Sequence, residues 1–244
     1  MEATPRLGSL YVEPERPPED AKPPALELID VFKIFGAGEV ETVALRGLEL
    51  TVEQREMVAV VGPSGSGKST MISVSAAMDV PSAGEVRIGG RSLARMDEAE
   101  LARTRSRDIG VVFQSGNLWP TLSARENVIA CLRLAGLSRS ADAAADEALA
   151  RFGLRGCAHN TPDGLSGGEQ QRVAIAAVAA RRPALVLADE PTGELDAANE
   201  EIVLETLSVL REDFGSAVTL ITHSSRVAMA CDRVVEIADG RVVP

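Results

Sequence analysis

A strand, a glycine loop and a helix start follow one another within fourteen residues, and this succession constrains the fold more than any other part of the sequence. The aliphatic run 57–61 is followed directly by the loop Gly62-Pro63-Ser64-Gly65-Ser66-Gly67-Lys68-Ser69-Thr70. Glycines permit positive φ and close backbone approach, so successive N–H groups can converge on oxygens at the positive end of the next helix. A Gly- and Ser-rich turn is the simpler alternative, but the preceding strand favours a phosphate-binding loop.

Two side chains at the end of this loop would carry its chemistry. Lys68 is expected to supply a positive charge for the outer phosphates of a nucleotide, and Ser69 a hydroxyl for a magnesium ion. The whole chain has 25 Lys and Arg against 36 Asp and Glu, a formal charge of -11. Surface charge is screened beyond roughly 8 Å in physiological salt, so the local field of the loop should decide phosphate binding. The same acidic balance disfavours a nucleic-acid partner.

Short aliphatic runs alternate with helical spacing from Leu26 onward, which predicts an α/β fold with a mainly parallel sheet. Such runs suit strands that are covered on both faces. Ligands of open α/β sheets bind beyond the carboxyl ends of the strands, so polar residues at these ends should meet at one site. The four runs are 57–61, 109–113, 185–188 and 217–221, and the residues that end them are Gly62, Gln114, Asp189 and His223.

Two acidic residues follow the third of these strands. Asp189 would hold magnesium through water, because this ion keeps several waters and takes few protein carboxylates. Glu190 would face the attacking water as its general base or its orienting group. A solvated acidic turn before Pro191 is the alternative, and the phosphate loop in the same chain favours the catalytic interpretation.

The remaining segments predict a small antiparallel β layer, an inserted helical region and a tail. The β layer is expected at 45–52 and 84–90, with a turn at Gly89-Gly90. Helical spacing runs from Leu122 to about Phe152, and we place the inserted helical subdomain at about 115–175. The last strand is expected at 233–237, closed by a turn at Asp239-Gly240. Residues 1–24 hold six of the 13 prolines among acidic residues, which predicts a disordered tail before a domain at 25–244.

Cysteine number and hydropathy limit the cellular setting. Cys131, Cys157 and Cys231 are odd in number and widely spaced, so they suggest neither a disulfide framework nor a zinc site and point to a reducing cytosol. No run approaches the 18 or so apolar residues of a spanning helix, so we expect a chain that does not itself cross a membrane. The acidic, proline-rich start does not resemble a secretory signal.

A second motif identifies the family that the sequence resembles. The segment Leu165-Ser166-Gly167-Gly168-Glu169-Gln170-Gln171-Arg172 begins a helix, and Ser166 and Glu169 have the spacing of a capping box. Capping leaves the two glycines unexplained, since each costs about 1 kcal/mol against Ala in a helix. Here the sequence resembles the ATP-binding cassette family, whose signature is LSGGQ. The resemblance runs from about Leu26 to the C-terminus, with all motifs in the family order.

The resemblance implies an ATPase with a P-loop NTPase core that binds ATP and Mg²⁺. Two chains would form a head-to-tail homodimer that sandwiches two nucleotides, each held by the phosphate loop of one chain and the signature of the other. Magnesium would be held by Ser69, Gln114 and Asp189. Gln114 would also contact the attacking water, and His223 would contact the γ-phosphate. Without the other motifs, His223 would be interpreted as a capped histidine at the end of a strand. The nucleotide-binding residues outside the phosphate loop would be Phe35, Gln114, Ser166, Gly167, Gly168, Glu169 and Asp196.

Several positions depart from the family pattern. Phe35 stands where an adenine-stacking Tyr is usual, which keeps the ring and loses the hydroxyl. Ala177 replaces a common Arg, and residues 72–77 are less leucine-rich than usual. Glu194 lies near the expected dimer seam, where mutual repulsion could weaken the closed dimer. The motifs for hydrolysis are all present, so activity is expected.

Within the family, 117–122 and 188–193 resemble the ATPases of lipoprotein-release, macrolide-export and cell-division permease systems. The resemblance implies transmembrane permease subunits as partners and a position on the cytoplasmic face of the cell membrane. The alternative is a cell-division type of regulatory ATPase that controls a cell-wall hydrolase through its membrane partner. Trp119, the only tryptophan, is expected to be partly exposed on a mobile loop and to contact the permease, a buried core position being the alternative.

Overall fold

The computed structural model describes residues 22–37, 40–193 and 195–243. Its centre is a six-stranded sheet of order β10-β9-β3-β8-β7-β6, in which all neighbours except β10 and β9 pair in parallel. The strands of this sheet are β3 (Met57–Val61), β6 (Ile109–Val112), β7 (Leu185–Asp189), β8 (Ala217–Ile221), β9 (Arg233–Ala238) and β10 (Arg241–Val243).

A second sheet is wholly antiparallel and has the order β2-β1-β4-β5. The predicted antiparallel layer is therefore confirmed, although β1 was not among the predicted strands. Bulges interrupt the pairing of β1 with both neighbours. The strands are β1 (Leu26–Ala37), β2 (Val40–Val52), β4 (Ala83–Ile88) and β5 (Arg91–Ser92).

Seven α-helices accompany the sheets in the described part of the chain, and single turns of 3-10 helix lie at Leu93–Arg95, Ser138–Ser140, Arg155–Cys157 and Pro162–Gly164. No helix in the described ranges combines the length and the apolar character needed to span a membrane. The α-helices are α1 (Lys68–Ser75), α2 (Glu98–Arg107), α3 (Ala124–Leu134), α4 (Ala141–Arg151), α5 (Gly167–Ala179), α6 (Ala197–Phe214) and α7 (Ser225–Met229).

Alternate residues of the central strands supply two hydrophobic cores. In β3, Met57 and Ala59 face a core shared with α3 to α6, while Val58 and Val60 face a core shared with the antiparallel sheet and α1. This division follows from the two-residue period of a strand. Both faces of the parallel strands are therefore covered, as their continuous aliphatic runs predicted.

One strand prediction was wrong. The turn at Asp239-Gly240 does not end the sheet, because the chain continues into β10, which pairs antiparallel with β9. The residue pattern did not predict β10, because this strand is only three residues long. The helical region is confirmed as helices α3, α4 and the start of α5, but its boundaries as a subdomain stay a prediction. The tail prediction falls mostly on residues 1–21, which lie outside the described residues.

Candidate functional site

The phosphate loop between β3 and α1 is shaped by glycines that no other residue could replace without strain. Gly62 has φ of 147°, and a Cβ atom there would lie 2.1 Å from the carbonyl oxygen of Ile237. Gly67 has φ of 104°, and its Cβ would lie 2.5 Å from the carbonyl oxygen of Ala44. The loop is thus packed between β9 and β2, which accounts for two of its glycines by geometry.

The loop is held by backbone hydrogen bonds and keeps two polar groups inside. The amide of Ser66 donates to Pro63 O at 3.2 Å, and the amide of Gly240 donates to Ser66 O at 2.9 Å. Lys68 is only 6% exposed, and its Nζ donates to Gly62 O at 2.8 Å and to Pro63 O at 2.9 Å. The buried Ser66 hydroxyl has no hydrogen-bond partner among the described residues. A buried ammonium and an unpartnered hydroxyl in one loop fit an anionic ligand.

Asp189, the last residue of β7, reaches the first turn of α1. Its carboxylate accepts a hydrogen bond from the Ser69 hydroxyl. Burial raises the pKa of Asp189, and the charge of Glu190 adds to this, while the Ser69 hydrogen bond and the Lys68 charge oppose it. A hydroxyl and a half-buried carboxylate beside the phosphate loop are the hard oxygen ligands that Mg²⁺ takes. The donor set therefore fits the magnesium ion that the sequence predicted.

Glu190, Gln114 and His223 converge next to Asp189. Glu190 has a left-handed φ of 49°, and its amide donates to Ile221 O at 3.1 Å. Glu190 Oε1 lies 3.1 Å from His223 Nε2. A Cβ atom on Gly193 would lie 3.1 Å from Gln114 Nε2 and 3.2 Å from Glu190 Oε2, so both side chains border this glycine. The residues that follow β6, β7 and β8 thus meet at one edge, as predicted.

The signature segment begins α5 through the predicted capping box. The Ser166 amide donates to Glu169 Oε2 at 2.8 Å, and the Glu169 amide donates to Ser166 Oγ at 3.3 Å. The amide and the hydroxyl of Ser166 both donate to Glu169 Oε2, and these two hydrogen bonds hold the pKa of Glu169 below its usual range. A Cβ atom on Gly168 would lie 2.3 Å from Asn199 Oδ1. The absence of a side chain at Gly168 therefore has a packing reason besides any ligand, because the first turns of α5 and α6 touch there.

Phe35 and Asp196 occupy different surroundings. Phe35 is an exposed residue of β1, and Lys33 Nζ lies over its ring, 5.0 Å from the centre. Asp196 caps α6, because its Oδ1 accepts from the Asn199 amide at 2.9 Å and from Asn199 Nδ2 at 3.0 Å. The nucleotide contact of either residue stays a prediction. Glu194 lies outside the described residues.

Known proteins resemble this chain along almost its full described length. The ABC transporter family matches residues 45–193. The lipoprotein-releasing system ATP-binding protein LolD of Geobacter metallireducens is 44% identical over 219 residues, which cover 89% of this chain and 97% of that protein. The chain belongs to the ABC transporter family. Membership implies that this ABC cassette binds and hydrolyses ATP.

Two further likenesses agree with this assignment. The macrolide export ATP-binding/permease protein MacB of Azoarcus sp. is 43% identical over 221 residues, which cover 90% of the cassette but 34% of that longer protein. The solved dimeric structure of the ATP-binding cassette MJ0796, in a post-hydrolysis state bound to ADP and Pi, superposes with a TM-score of 0.81. It is 38% identical and covers 90% of this chain and 97% of the other. The predicted fold class is confirmed.

Sequence reasoning missed two amides that join the Gln114 segment of the cassette to α5. Asn117 Nδ2 donates to Phe113 O at 2.7 Å, and Asn117 Oδ1 accepts from the Phe113 amide at 2.8 Å. Gln171, only 5% exposed, donates from Nε2 to the same Phe113 oxygen at 3.0 Å. A cavity of about 120 Å³ lies between Gln114, Pro191 and the start of α5. Amides are common in loops and helices, so their residue types alone gave no signal for this link.

Trp119 is 43% exposed, which confirms the predicted partly exposed position against the core alternative. Its amide donates to Asn127 Oδ1 at 2.7 Å. Asn127 is buried, and its Nδ2 in turn donates to Trp119 O at 3.2 Å, Leu122 O at 3.0 Å and Ser123 O at 3.0 Å. One buried amide on α3 therefore holds the backbone that presents the indole.

Proposed function

We propose that this chain is the ATP-binding and hydrolysing subunit of an ABC-type membrane complex, in which a nucleotide-sandwich homodimer drives a transmembrane permease or mechanotransmission partner. The observation that carries the proposal is the meeting of the phosphate loop, Asp189, Glu190, Gln114 and His223 at one edge of the sheet. A binding loop alone would explain a nucleotide sensor. A carboxylate and an imidazole beside it explain hydrolysis.

Each residue then has a task in the reaction. The loop amides and Lys68 bind the phosphates and neutralise the charge that develops on them. Ser69 and Asp189 would hold Mg²⁺, with Gln114 as a further ligand, and the ion would supply positive charge to the outer phosphates. Glu190 accepts the proton of the attacking water and orients its oxygen toward the γ-phosphorus. His223, within hydrogen-bond distance of Glu190, would donate to a γ-phosphate oxygen.

The signature motif completes the proposed site from a second copy. Ser166, Gly167, Gly168 and Glu169 form the first turn of α5, where backbone N–H groups and the helix dipole favour an anion. The solved structure of MJ0796 is dimeric, which supports a homodimer of this chain, since the two cassettes share 38% identity. Glu194 would lie near the seam of this dimer.

Replacement of the proposed base separates binding from hydrolysis. Glu190→Gln should keep ATP binding and lose turnover by about 100-fold or more, because the amide retains the shape but cannot accept a proton. ATP and magnesium should then drive the variant from monomer to dimer in size-exclusion chromatography. Wild-type turnover in this variant would overturn the assignment of the base.

A matched second variant tests the sandwich separately. Glu190→Gln combined with Glu194→Ala removes the expected charge repulsion at the seam. A monomer at saturating ATP in both variants contradicts the homodimer, even if hydrolysis is lost as expected.

We further propose a permease contact at Trp119 on the cytoplasmic face of the cell membrane. The names of the LolD and MacB relatives, a releasing system and an ATP-binding/permease protein, support a membrane partner. An exposed indole whose backbone is hydrogen-bonded to Asn127 is a suitable anchor, because aromatic side chains dominate many interfaces. The Phe113 carbonyl bonded to Gln171 lies one residue before Gln114, so the loop that presents Trp119 connects directly to the proposed magnesium site.

Intrinsic fluorescence offers a direct measurement of this connection. Trp119 is the only tryptophan, so ATP with magnesium should shift the emission of the unlabelled protein, and Gln114→Ala should strongly reduce the shift. Trp119→Ala should spare basal ATPase activity and weaken association with the copurifying permease about tenfold or more. An unchanged affinity for the permease would refute the anchor.

A further inference from the structure

The turn that joins β9 to β10 lies against the phosphate loop, although none of the proposed catalytic roles falls on it. Asp239 and Gly240 form this turn, with φ of 48° and 75°. Positive φ at both central residues is typical of a type I′ hairpin turn. Ala238 pairs with Arg241 across the turn. Because the residues on either side of the turn close the hairpin, the N–H groups of the two turn residues can bond to other segments.

Gly240 donates its N–H to the phosphate loop. The acceptor is Ser66 O, at 2.9 Å. A trans peptide is planar, and its C=O and N–H groups point in opposite directions. The hydrogen bond from Gly240 therefore fixes the peptide that joins Ser66 to Gly67, and it aims the Gly67 N–H away from the turn.

The Gly67 N–H is suited to hold an anion. Gly67 is the N-cap residue of α1. The first N–H groups of a helix have no acceptor within the helix, and they lie at the positive end of its dipole. The direction of this N–H is thus set by the peptide plane, which the turn holds from outside the loop.

The same hairpin lies against the start of the loop. A Cβ atom on Gly62 would lie 2.1 Å from the carbonyl oxygen of Ile237 in β9. At the other end, a Cβ atom on Gly67 would lie 3.5 Å from the Cα atom of Gly240. Both the first and the last glycine of the loop therefore contact one hairpin, which is in position to fix the shape of the loop between them.

Strand β2 holds the turn from its other side. The Arg46 amide donates to Gly240 O at 2.9 Å, and Arg241 Nε donates to Arg46 O at 3.0 Å. The carbonyl oxygen of Ala44 would lie 2.6 Å from a Cβ atom on Gly240. Gly240 thus donates to the loop and accepts from β2, and no side chain fits at its position.

We propose that Gly240 is a positioning residue of the phosphate loop, which aims the Gly67 N–H at the phosphates of the nucleotide. The inference rests on the proposed function, because it assumes that the loop binds a nucleotide. The N–H groups of such loops cradle the α- and β-phosphates. The contribution of Gly240 is therefore the same for ATP and for ADP.

A pair of glycine variants tests the role of the turn. Gly240→Ala places a methyl group against Ala44 O and displaces the turn from Ser66. Gly215→Ala is the matched control, because Gly215 has a similar φ of 77° and nothing lies within 4 Å of its Cβ position. Calorimetry measures the binding of ADP and of a non-hydrolysable ATP analogue, with magnesium. Gly240→Ala should bind both about tenfold more weakly than the control, since a charge-assisted hydrogen bond is lost.

A chemical variant removes the hydrogen bond without adding a side chain, and it decides the question if Gly240→Ala does not fold. An ester in place of the amide between Asp239 and Gly240 has oxygen where the N–H was. The native Cys231 permits ligation of residues 1–230 to a synthetic peptide of residues 231–244, followed by refolding of the full chain. The all-amide chain made in the same way is the control. The ester chain should bind ADP about three- to tenfold more weakly.

The amide resonance of Gly67 gives a signature that a loss of stability would not change. In protein labelled with ¹⁵N-glycine, saturating ADP and magnesium should shift the Gly67 amide proton downfield in the controls, because this N–H then donates to a phosphate oxygen. The shift should be much smaller in Gly240→Ala and in the ester chain, also at saturation.

Three results would overturn the positioning role. These are equal affinities in the ester chain and its all-amide control, a full Gly67 shift in the saturated ester chain, and a loss of affinity for the ATP analogue alone. Lys68→Ala separates this inference from the proposed function. Lost binding in Lys68→Ala with unchanged binding in the ester chain refutes the role of Gly240 only, whereas unchanged binding in Lys68→Ala refutes the nucleotide site itself.

Discussion

At the scale of single residues, Lys68 is the most unusual side chain of the site. Its ammonium group is almost fully buried, yet its described hydrogen-bond acceptors are the neutral carbonyl oxygens of Gly62 and Pro63. Burial of an ammonium group is costly, and Asp189 is a described carboxylate on which the Lys68 charge acts. The arrangement therefore favours any anion that enters the loop, and the same carbonyls hold the side chain in place beforehand.

Lys68→Ala should weaken ATP binding by about 100-fold or more, because charge-assisted hydrogen bonds to phosphate are lost and only backbone dipoles remain. Equilibrium binding of a fluorescent ATP analogue measures the change, and ATP hydrolysis should fall with it. Lys22→Ala is a suitable control, since Lys22 is exposed before β1 and lies outside the loop sequence. Unchanged hydrolysis in Lys68→Ala would contradict the phosphate-loop assignment.

At the scale of elements, the first turns of α5 and α6 touch through Gly168 and Asn199. The Asn199 side chain lies where a Cβ atom of residue 168 would be, and it is fixed there by Asp196. The helix cap of α6 thus positions the signature turn of α5. This contact joins two motifs that are about thirty residues apart in sequence.

Gly168→Ala should lower ATPase activity about tenfold although alanine is the better helix former, since the new methyl group displaces Asn199 and the signature turn. Gly168→Ala with Asn199→Ala should recover part of the loss, because the smaller side chain leaves room. ATPase rates of the two single variants and the double variant form a complete cycle. Simply additive losses would show that the contact does not position the signature.

At the scale of the whole molecule, Asp232 joins three distant elements. Its Oδ2 accepts from the Met57 amide at 2.8 Å, at the start of β3, and its Oδ1 accepts from Arg211 Nη1 of α6 at 2.8 Å. The Met57 hydrogen bond first, and then Arg211, hold the pKa of Asp232 below its usual value of 3.8. The ionised form is therefore favoured in the folded state.

Because folding lowers the pKa of Asp232, its ionised carboxylate stabilises the folded state at pH values above the pKa of the unfolded state. This stabilisation is lost as the pH falls through the lower pKa of the folded state. Asp232→Asn should lower the thermal midpoint at pH 7 by about 1–2 °C, a small effect because the side chain is partly solvated. The difference between the thermal midpoints of the wild type and the variant should decrease as the pH falls from about 5 toward about 3. Thermal unfolding followed by circular dichroism at several pH values measures this difference. A difference that is independent of pH would exclude linkage through this carboxylate.

The sequence by itself determined the parallel core and the residues that meet at the carboxyl ends of its strands. Strand runs such as 57–61 and 217–221 were predicted with their observed bounds, because buried parallel strands need continuous aliphatic residues. Positions 62 and 67 have positive φ and therefore favour glycine, so the glycines in the sequence predict the loop. The capping box of Ser166 and Glu169 is likewise local, and local hydrogen bonds leave a pattern in adjacent positions.

Tertiary structure alone decided the contacts between segments that are remote in sequence. The pairing of β10 with β9, the link from Asn117 and Gln171 to Phe113, and the closeness of Gly168 to Asn199 each depend on where whole elements pack. Their side chains have no distinctive spacing, because nothing in an amide or a short strand specifies a distant partner. Packing of the two cores fixes those distances.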